Sequence, residues 1–235
     1  PVSCESFPCR ISTGDWPFIN GVIENNLVVD TIGYNMQIKF QKPYALPAGL
    51  GAGPHRTIIR NNVFIKTKPQ SAWPATAVDG GRPNLLVGGQ PSTGPGSSDI
   101  HEIYGNFFYD NKDGEPLLQG SGIVSVHDNV FVGGSFRAVN LVNHDAPLRR
   151  GYVYNNTIYG RVQGITVSGG SLEDSLVTGN LILADSGVTA PVQNNNVVDT
   201  AANAATYVNN PSFTLGMMDF YPKPGRAKGA PLDLS

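Results

Sequence analysis

The sequence predicts an all-β solenoid: a single-stranded right-handed parallel β-helix of about seven coils with an internal Asn ladder. Three observations predict it. A phrase of an apolar residue, a variable residue, then Asn, Gly or Asp, then Asn occurs seven times, the last copy being weaker because it begins with Gln193. Its copies follow one another at intervals of 36, 44, 23, 27, 24 and 16 residues, and a large apolar residue follows two positions after each copy. Recurrence of one phrase at a coarse spacing is typical of stacked copies of one structural unit.

The last two positions of the phrase predict a turn and a ladder. The third position holds only Asn, Gly or Asp, which most readily adopt a left-handed backbone, so a sharp turn between two short strands is expected. The fourth position is always Asn, which predicts buried side-chain amides that bond the copies above and below. These ladder residues are Asn26, Asn62, Asn106, Asn129, Asn156, Asn180 and Asn196.

The residues after each phrase predict the core. The apolar residues two positions beyond the ladder are expected to point inward, following the strand period of two. They are Val28, Phe64, Phe108, Phe131, Ile158, Ile182 and Val198. A second strand is predicted 11 or 12 residues beyond the ladder, with its equivalent in the second coil at Leu85–Val87. Its core residues are Ile38, Leu118, Leu141 and Val167. A β-sandwich with Asn-Asn turns is the alternative, and seven aligned columns argue against it.

The sequence divides into three parts. Residues 18–200 are expected to form the β-helix, with long loops at 43–55 and 67–98 that are rich in Gly, Pro, Ser and Ala and lack apolar alternation. Residues 201–235 are expected to cap the last coil, whose strand edges would otherwise be open.

The third part is an N-terminal segment, residues 1–17, that contains both cysteines. Cys4 and Cys9 form either a small disulfide loop or two free thiols, and the disulfide is favoured, which would indicate an oxidising compartment. The start at Pro1, without an initiator Met or a signal peptide, indicates a trimmed product of a longer precursor.

The composition excludes two classes of partner. Charged residues make up only 14% of the chain, and the net charge is −2 with no basic run, so no nucleic-acid binding is expected. No apolar stretch is long enough to span a membrane.

The ladder phrases, residues 33–39 and residues 219–225 together resemble the bacterial secreted proteins with right-handed parallel β-helix repeats, the pectate lyase-like superfamily. The resemblance covers about residues 18–229. It implies an extracellular protein that interacts with polysaccharide along its side and, if it is an enzyme, a polysaccharide lyase or glycoside hydrolase of an acidic glycan. The alternative is a non-catalytic extracellular structural or adhesion protein whose copies assemble end to end into fibres.

Lyase chemistry on a uronate requires a base and a cation that stabilises the developing enolate. The candidate catalytic residues are Lys39 at the end of a second strand, Arg56 at the end of a loop, and the adjacent pair His144 and Asp145. The resemblance to epimerases of this fold implies proton chemistry for such a pair. The alternative is that Lys39 and Lys66 are solvated lysines at strand ends and that His144 and Asp145 form an ordinary turn.

Ligand-binding candidates lie on the outward positions. They are Gln119, Asn143, Tyr104 and Tyr154. The tyrosines recur on successive coils, which predicts either a face for stacking sugars or cross-coil packing pairs. The first interpretation of the acidic segment 110–115 is a polar loop. Its carboxylates are the ligands that Ca²⁺ takes, although their spacing is not that of a known calcium loop. No other cofactor and no metal ligand is predicted.

Overall fold

The computed structural model describes residues 10–12, 18–39, 41, 45–46, 48–73, 81–169 and 174–226. Cys4 and Cys9, for which a disulfide is predicted, lie outside these residues. Within the described chain, 21 strands form three parallel sheets of seven strands each, and a short antiparallel pair follows them. Nearly all regular structure is therefore β, as predicted.

The chain enters with β1 (Arg10–Ser12) and then repeats three strands per coil. The strands of the first three coils are β2 (Val22–Glu24), β3 (Leu27–Val29), β4 (Met36–Lys39), β5 (Arg56–Arg60), β6 (Val63–Ile65), β7 (Leu85–Val87), β8 (Ile100–Tyr104), β9 (Phe107–Tyr109) and β10 (Leu118–Gly120). Those of the later coils are β11 (Gly122–His127), β12 (Val130–Gly133), β13 (Arg137–Leu141), β14 (Leu148–Tyr154), β15 (Thr157–Gly160), β16 (Gln163–Val167), β17 (Leu176–Thr178), β18 (Leu181–Leu183), β19 (Ser186–Thr189), β20 (Gln193–Asn194) and β21 (Val197–Asp199).

Each sheet takes one strand from each coil. Sheet A contains β1, β4, β7, β10, β13, β16 and β19. Sheet B contains β2 and every third strand after it up to β20, and sheet C contains β3 and every third strand after it up to β21. Every strand pairs in parallel with its equivalent in the next coil. Sheets B and C meet at the two-residue turn of the repeated phrase. The predicted β-helix is therefore confirmed.

The Asn ladder runs through all seven coils. Each ladder Nδ2 donates to the Oδ1 of the next ladder residue, and so does each backbone N–H, at 2.9–3.0 Å. In the middle coils Nδ2 also reaches two backbone carbonyls, as Asn129 does with Ile103 and His127 at 2.9 Å. The buried amides are thus fully paired, which offsets the cost of removing them from water. The residue before each ladder Asn has φ between 51° and 66°, the predicted left-handed turn.

The predicted inward column fills the core except at its end. Phe64, Phe108 and Phe131 stack with ring centroids 5.0 and 4.7 Å apart and are fully buried. Ile158 is also fully buried, but Val198 is 49% exposed. Val198 continues the inward column, in register with Ile182, but it stays exposed because β21 is the last strand of sheet C in the described structure.

The register of sheet A corrects one alignment. Ile38 pairs with Val87, Val87 with Gly120, and Gly120 with Leu141. Leu118 lies two positions before Gly120 and faces the same core, so it does not share a column with Ile38 and Leu141. A Cβ at Gly120 would lie 3.0 Å from Leu141 Cδ2 and 3.3 Å from Val87 Cγ2. Close packing of these side chains explains why the column continues through a glycine there.

The C-terminal segment lies along the flank of the solenoid. A 3-10 helix (Ala201–Thr206) and the antiparallel strands β22 (Val208–Asn210) and β23 (Asp219–Pro222) pack on the outer face of sheet C. The Phe213 ring stacks on Tyr159 at 4.1 Å, and Tyr109 donates its hydroxyl hydrogen to the Phe213 carbonyl at 2.7 Å. The expected cap over the last coil is thus a cover over sheet C.

A second 3-10 helix (Gln70–Ala72) lies in the loop between β6 and β7. In the part of the chain that the structure describes, no helix has the length and apolar character needed to cross a membrane.

Candidate functional site

Three predicted site residues meet beyond the carboxyl ends of the sheet A strands. Lys39 ends β4, and His144 and Asp145 lie in the connection after β13. Asp145 Oδ2 is 3.5 Å from Lys39 Nζ and 3.1 Å from His144 Nδ1. The His144 Nδ1 contact has ion-pair distance without hydrogen-bond alignment. One carboxylate therefore lies between a lysine and a histidine that are more than 100 positions apart in the sequence.

The backbone positions the His144 loop. The Ser121 hydroxyl, at the end of β10, donates to the His144 carbonyl at 2.7 Å, and His144 N–H donates to the Ala146 carbonyl at 3.0 Å. Asn143 Oδ1 accepts the Leu148 N–H at 2.9 Å, which closes the loop. Asp145 itself has φ of 60°, a left-handed conformation that costs a non-glycine residue free energy. The predicted ligand-binding residue Asn143 thus has a contact that shapes the loop.

Two further side chains extend the cluster across the outer face of sheet A. The ring centroid of Tyr34 is 5.5 Å from Lys39 Nζ and 6.0 Å from Arg82 Cζ. An aromatic ring between two cations is favoured electrostatically, because the ring face carries negative charge density. Tyr34 and Arg82 come from the connections that precede β4 and β7, so the cluster spans the whole width of the sheet.

Glu115, before β10, adds a carboxyl group to this face. Burial raises the pKa of Glu115, and the positive charges of Arg82, His144 and Lys66 oppose the rise. A carboxyl with a raised pKa holds its proton more readily near neutral pH than an exposed glutamate does. The face therefore contains groups able to accept a proton, to donate one and to neutralise an anion.

The floor of the site is the outward column of sheet A. It consists of Gln37, Leu86, Gln119, Asn140 and Thr166, aligned by register and all buried. Among the described residues, Gln37 Oε1 and Thr166 Oγ1 are buried without a hydrogen-bond partner. Buried polar atoms are normally paired, so this polar strip is an unusual feature of the surface beneath the cluster. The predicted ligand-binding residue Gln119 lies in the middle of the strip.

Lys66 contradicts the interpretation of a solvated lysine. It is 2% exposed, and its Nζ donates to the carbonyls of Gly33 and Arg82, the latter at 2.8 Å. Burial lowers the pKa of Lys66 to about 8, and the charges of nearby acidic residues oppose this effect. The ammonium group thus joins the backbone beside Tyr34 to the backbone of Arg82, and it positions both.

The remaining predicted residues lie on the outer face of sheet B. Arg56 Nη1 donates to Glu102 Oε2 at 3.1 Å, and the structure does not bring Arg56 to Lys39. Tyr104 and Tyr154 sandwich His127, with centroids 4.9 and 4.6 Å apart and nearly parallel planes. One face of each tyrosine is covered by the imidazole, which agrees with the cross-coil packing alternative.

The acidic segment 110–115 bonds to loop backbone. Asp110 Oδ1 accepts the N–H groups of Asn111 and Gly134 at 3.0 and 3.1 Å, and both Asp113 carboxylate oxygens accept the Gln70 N–H. Within the described ranges, no group of three or more His, Cys, Asp or Glu residues could hold a metal ion.

Sequence reasoning missed Tyr34 and Arg82, and it assigned Glu115 to the acidic loop instead of to this face. Each precedes a sheet A strand by two or three residues, on three consecutive coils. The signal was therefore present: residues at equivalent positions before aligned strands lie side by side at one edge of a parallel sheet. The long connection between β6 and β7 prevented this alignment from being recognised, because the repeat does not fix where β7 begins.

Comparisons with protein-family models, curated proteins and solved structures found no match to this chain.

Proposed function

We propose that the outer face of sheet A binds an acidic, uronate-containing polysaccharide and cleaves it by β-elimination. The observation that carries the proposal is the convergence of Lys39, His144 and Asp145 with Tyr34 and Arg82 on the side of a solenoid. The resemblance of the ladder phrases to bacterial secreted pectate lyase-like proteins supports it, and on that basis the protein acts outside the cell.

Charge favours an acidic substrate at this face. The Lys39 ammonium and the Arg82 guanidinium both lie near the Tyr34 ring, and the Lys39 ammonium also contacts the Asp145 carboxylate. A uronate carboxylate bound here would accept charge-assisted hydrogen bonds, which are stronger than neutral ones. The flat side of a β-helix accommodates an extended chain, so neighbouring sugar units lie along the same sheet.

The groups present match the steps of an elimination. His144 faces Asp145 with Nδ1, so Nε2 is the atom that removes the proton on the carbon next to the uronate carboxylate. The electron pair left by that proton forms a carbon–carbon double bond, and the bond from the neighbouring carbon to the glycosidic oxygen breaks. Lys39 and Arg82 stabilise the negative charge that builds on the carboxylate. The Tyr34 hydroxyl protonates the leaving oxygen.

The test is ultraviolet absorbance of the unsaturated product, measured on a panel of uronate-containing polysaccharides. His144→Ala and Lys39→Ala are expected to lose activity by roughly 10²–10⁴-fold, the usual contribution of a positioned acid or base. Lys112→Ala, which removes an exposed lysine outside the cluster, is the matched control and should retain activity. Absence of product and of binding with every uronate polymer would overturn the proposal.

A second candidate function is end-to-end assembly of copies, and a different observation favours it. Apolar side chains are exposed on the terminal strands of sheet C, with Leu27 on the outer face 67% and Val198 in the core column 49% exposed. Asn26 and Asn196 are the terminal members of the described ladder, so Asn196 of one copy could donate to Asn26 of the next. In the part of the chain that the structure describes, both ends present the edges of sheets B and C, which match in direction.

Sedimentation and electron microscopy test this second candidate independently of activity. Filaments that disappear in Leu27→Asp and in Val198→Asp would support it, because a charge at either end would have to be buried in the contact. Monomers at all protein concentrations would exclude it and would leave the proposed lyase activity unaffected.

A further inference from the structure

We infer that the outer face of sheet B holds a second binding site, which accepts an uncharged pyranose unit of a glycan. A groove of about 350 Å³ lies on this face, away from the Lys39 cluster. Its polar residues are Arg56, Glu102 and Ser125, and its walls include Tyr152 and Leu176. This inference does not depend on the proposed lyase activity, because the two sites share no residue.

The register of sheet B explains why a groove forms there. Glu102, Ser125, Tyr152 and Leu176 occupy the same outward column in four consecutive coils. Ser125 is the small member of this column, placed between a long side chain and a large ring, and it is buried at the floor. Neighbouring strands are about 4.8 Å apart, so one small residue leaves a depression about two strand spacings wide.

The polar side of the groove is held in place before any ligand arrives. Arg56 Nη1 donates to Glu102 Oε2 at 3.1 Å, and Glu102 Oε1 lies 3.6 Å from His127 Nε2. That His127 nitrogen is buried and has no hydrogen-bond partner among the described residues. The Arg56 side chain is 55% exposed, so its other N–H groups remain accessible beside the carboxylate. The Arg56 guanidinium can donate to one sugar hydroxyl while the Glu102 carboxylate accepts from the neighbouring hydroxyl.

The other lining residues are largely apolar, and this selects against small charged ligands. Ile100, Leu176 and the Tyr152 ring offer contact to the C–H groups of a pyranose. The Arg56 and Glu102 charges offset each other, so a uronate carboxylate would meet no uncompensated cation here. The volume is near the lower end of the roughly 300–1,000 Å³ typical of ligand pockets, which suits one sugar unit.

The aromatic stack beside the groove makes it rigid. Tyr104, His127 and Tyr154 stack face to face across three coils, and Tyr154 also lines the groove. Burial raises the pKa of Tyr154, and a hydrogen bond with Ser125 opposes this rise and holds the hydroxyl at the floor of the groove. A site fixed in advance loses little conformational entropy on binding.

Calorimetric titration with neutral gluco-, galacto- and manno-oligosaccharides tests the inference on the full chain. At least one of the three should bind saturably. Glu102→Gln should weaken its binding by about 10-fold, the loss expected for one charge-assisted hydrogen bond. Ser125→Phe should abolish it by filling the groove. The isosteric Glu102→Gln variant keeps the test valid if Ser125→Phe fails to fold.

Lys112→Ala is the matched control, because it removes an exposed lysine outside both sites and should leave neutral-sugar affinity unchanged. Loss of neutral-sugar binding in Lys39→Ala would overturn the inference, since the sugar would then bind at sheet A. It would also be overturned if none of the three oligosaccharides bound, if Ser125→Phe bound with unchanged affinity, or if only short peptides bound to the groove.

Discussion

At the corner between sheets B and C, every coil turns in two residues and places the same Asn side chain against its copy in the next coil. At the corner between sheets A and B, the connections vary from Ser121 alone to residues 40–55, and no side chain repeats. The first corner satisfies its own hydrogen bonds completely. The second, called the irregular corner below, brings Lys39, His144 and Asp145 together from distant coils.

The difference indicates that the ladder corner contributes to stability and the irregular corner to chemistry. A ladder amide has donors and acceptor occupied by its neighbours, so it has none left for a ligand. The irregular corner brings charged groups from distant coils together, which is a feature of sites and not of efficient packing. Substitutions at the two corners should therefore affect different measurements.

The largest effect is expected in the middle of the ladder. Asn129→Ala removes donors to Asn156, Ile103 and His127 and the acceptor for Asn106. It leaves several buried groups unpaired at about 1–3 kcal/mol each, so the free energy of unfolding should fall by roughly 3–5 kcal/mol. Urea denaturation followed by circular dichroism measures this loss.

Asn209→Ala is the matched control for that variant. Asn209 is exposed and lies outside the ladder, where it donates to Asp219 at 3.1 Å. Its loss should change the free energy of unfolding by less than about 1 kcal/mol. Equal effects of the two substitutions would contradict the role of the ladder.

The next effect is a pH dependence at the irregular corner. His101 is 3% exposed, its Nδ1 lies 2.7 Å from Gln90 Nε2, and burial lowers its pKa to about 4. Between pH 6.5 and 4 the unfolded chain binds more protons at this residue than the folded protein. Stability should therefore fall as the pH falls through this window, by about 3 kcal/mol, and the residue should contribute nothing above pH 6.5.

His101→Asn tests this, because asparagine keeps a polar group near Gln90 but does not titrate. The difference in unfolding free energy between wild type and variant, measured from pH 7 to pH 4, isolates His101 from the carboxylates that titrate in both proteins. A difference that stays constant over this range would show that His101 is protonated as readily in the fold as in water.

The two corners also differ in what the sequence could predict. Asn62, Gly105 and Phe108 follow from the repeat, since each obeys one local requirement of turn, ladder or core that recurs in every coil. The meeting of Lys39 with Asp145 depends on the register of four sheet A strands and on the path of one loop. The place of Glu115 on this face was not predicted because its neighbours Arg82 and His144 come from other coils, and no short sequence pattern encodes those contacts.

A smaller effect is expected at the end of the ladder. Asn196 accepts the bonds of Asn180 but has no following coil in the described structure, and it is half-buried. Asn196→Ala should lower the free energy of unfolding by about 1 kcal/mol, because water can replace the lost partners. A loss as large as that of Asn129→Ala would indicate that another copy covers this end, so the measurement is repeated at several protein concentrations.

The smallest effect on stability is expected at the candidate site itself. The His144 side chain is 36% exposed, and its Nδ1 contact with Asp145 is not aligned as a hydrogen bond. His144→Ala should therefore change the free energy of unfolding by less than about 0.5 kcal/mol, as surface substitutions usually do. If this variant also loses uronate cleavage, the chemistry of the irregular corner is independent of the fold that supports it. A loss of several kcal/mol would instead identify His144 as a structural residue, because the His144 loop would then be needed to hold the coils together.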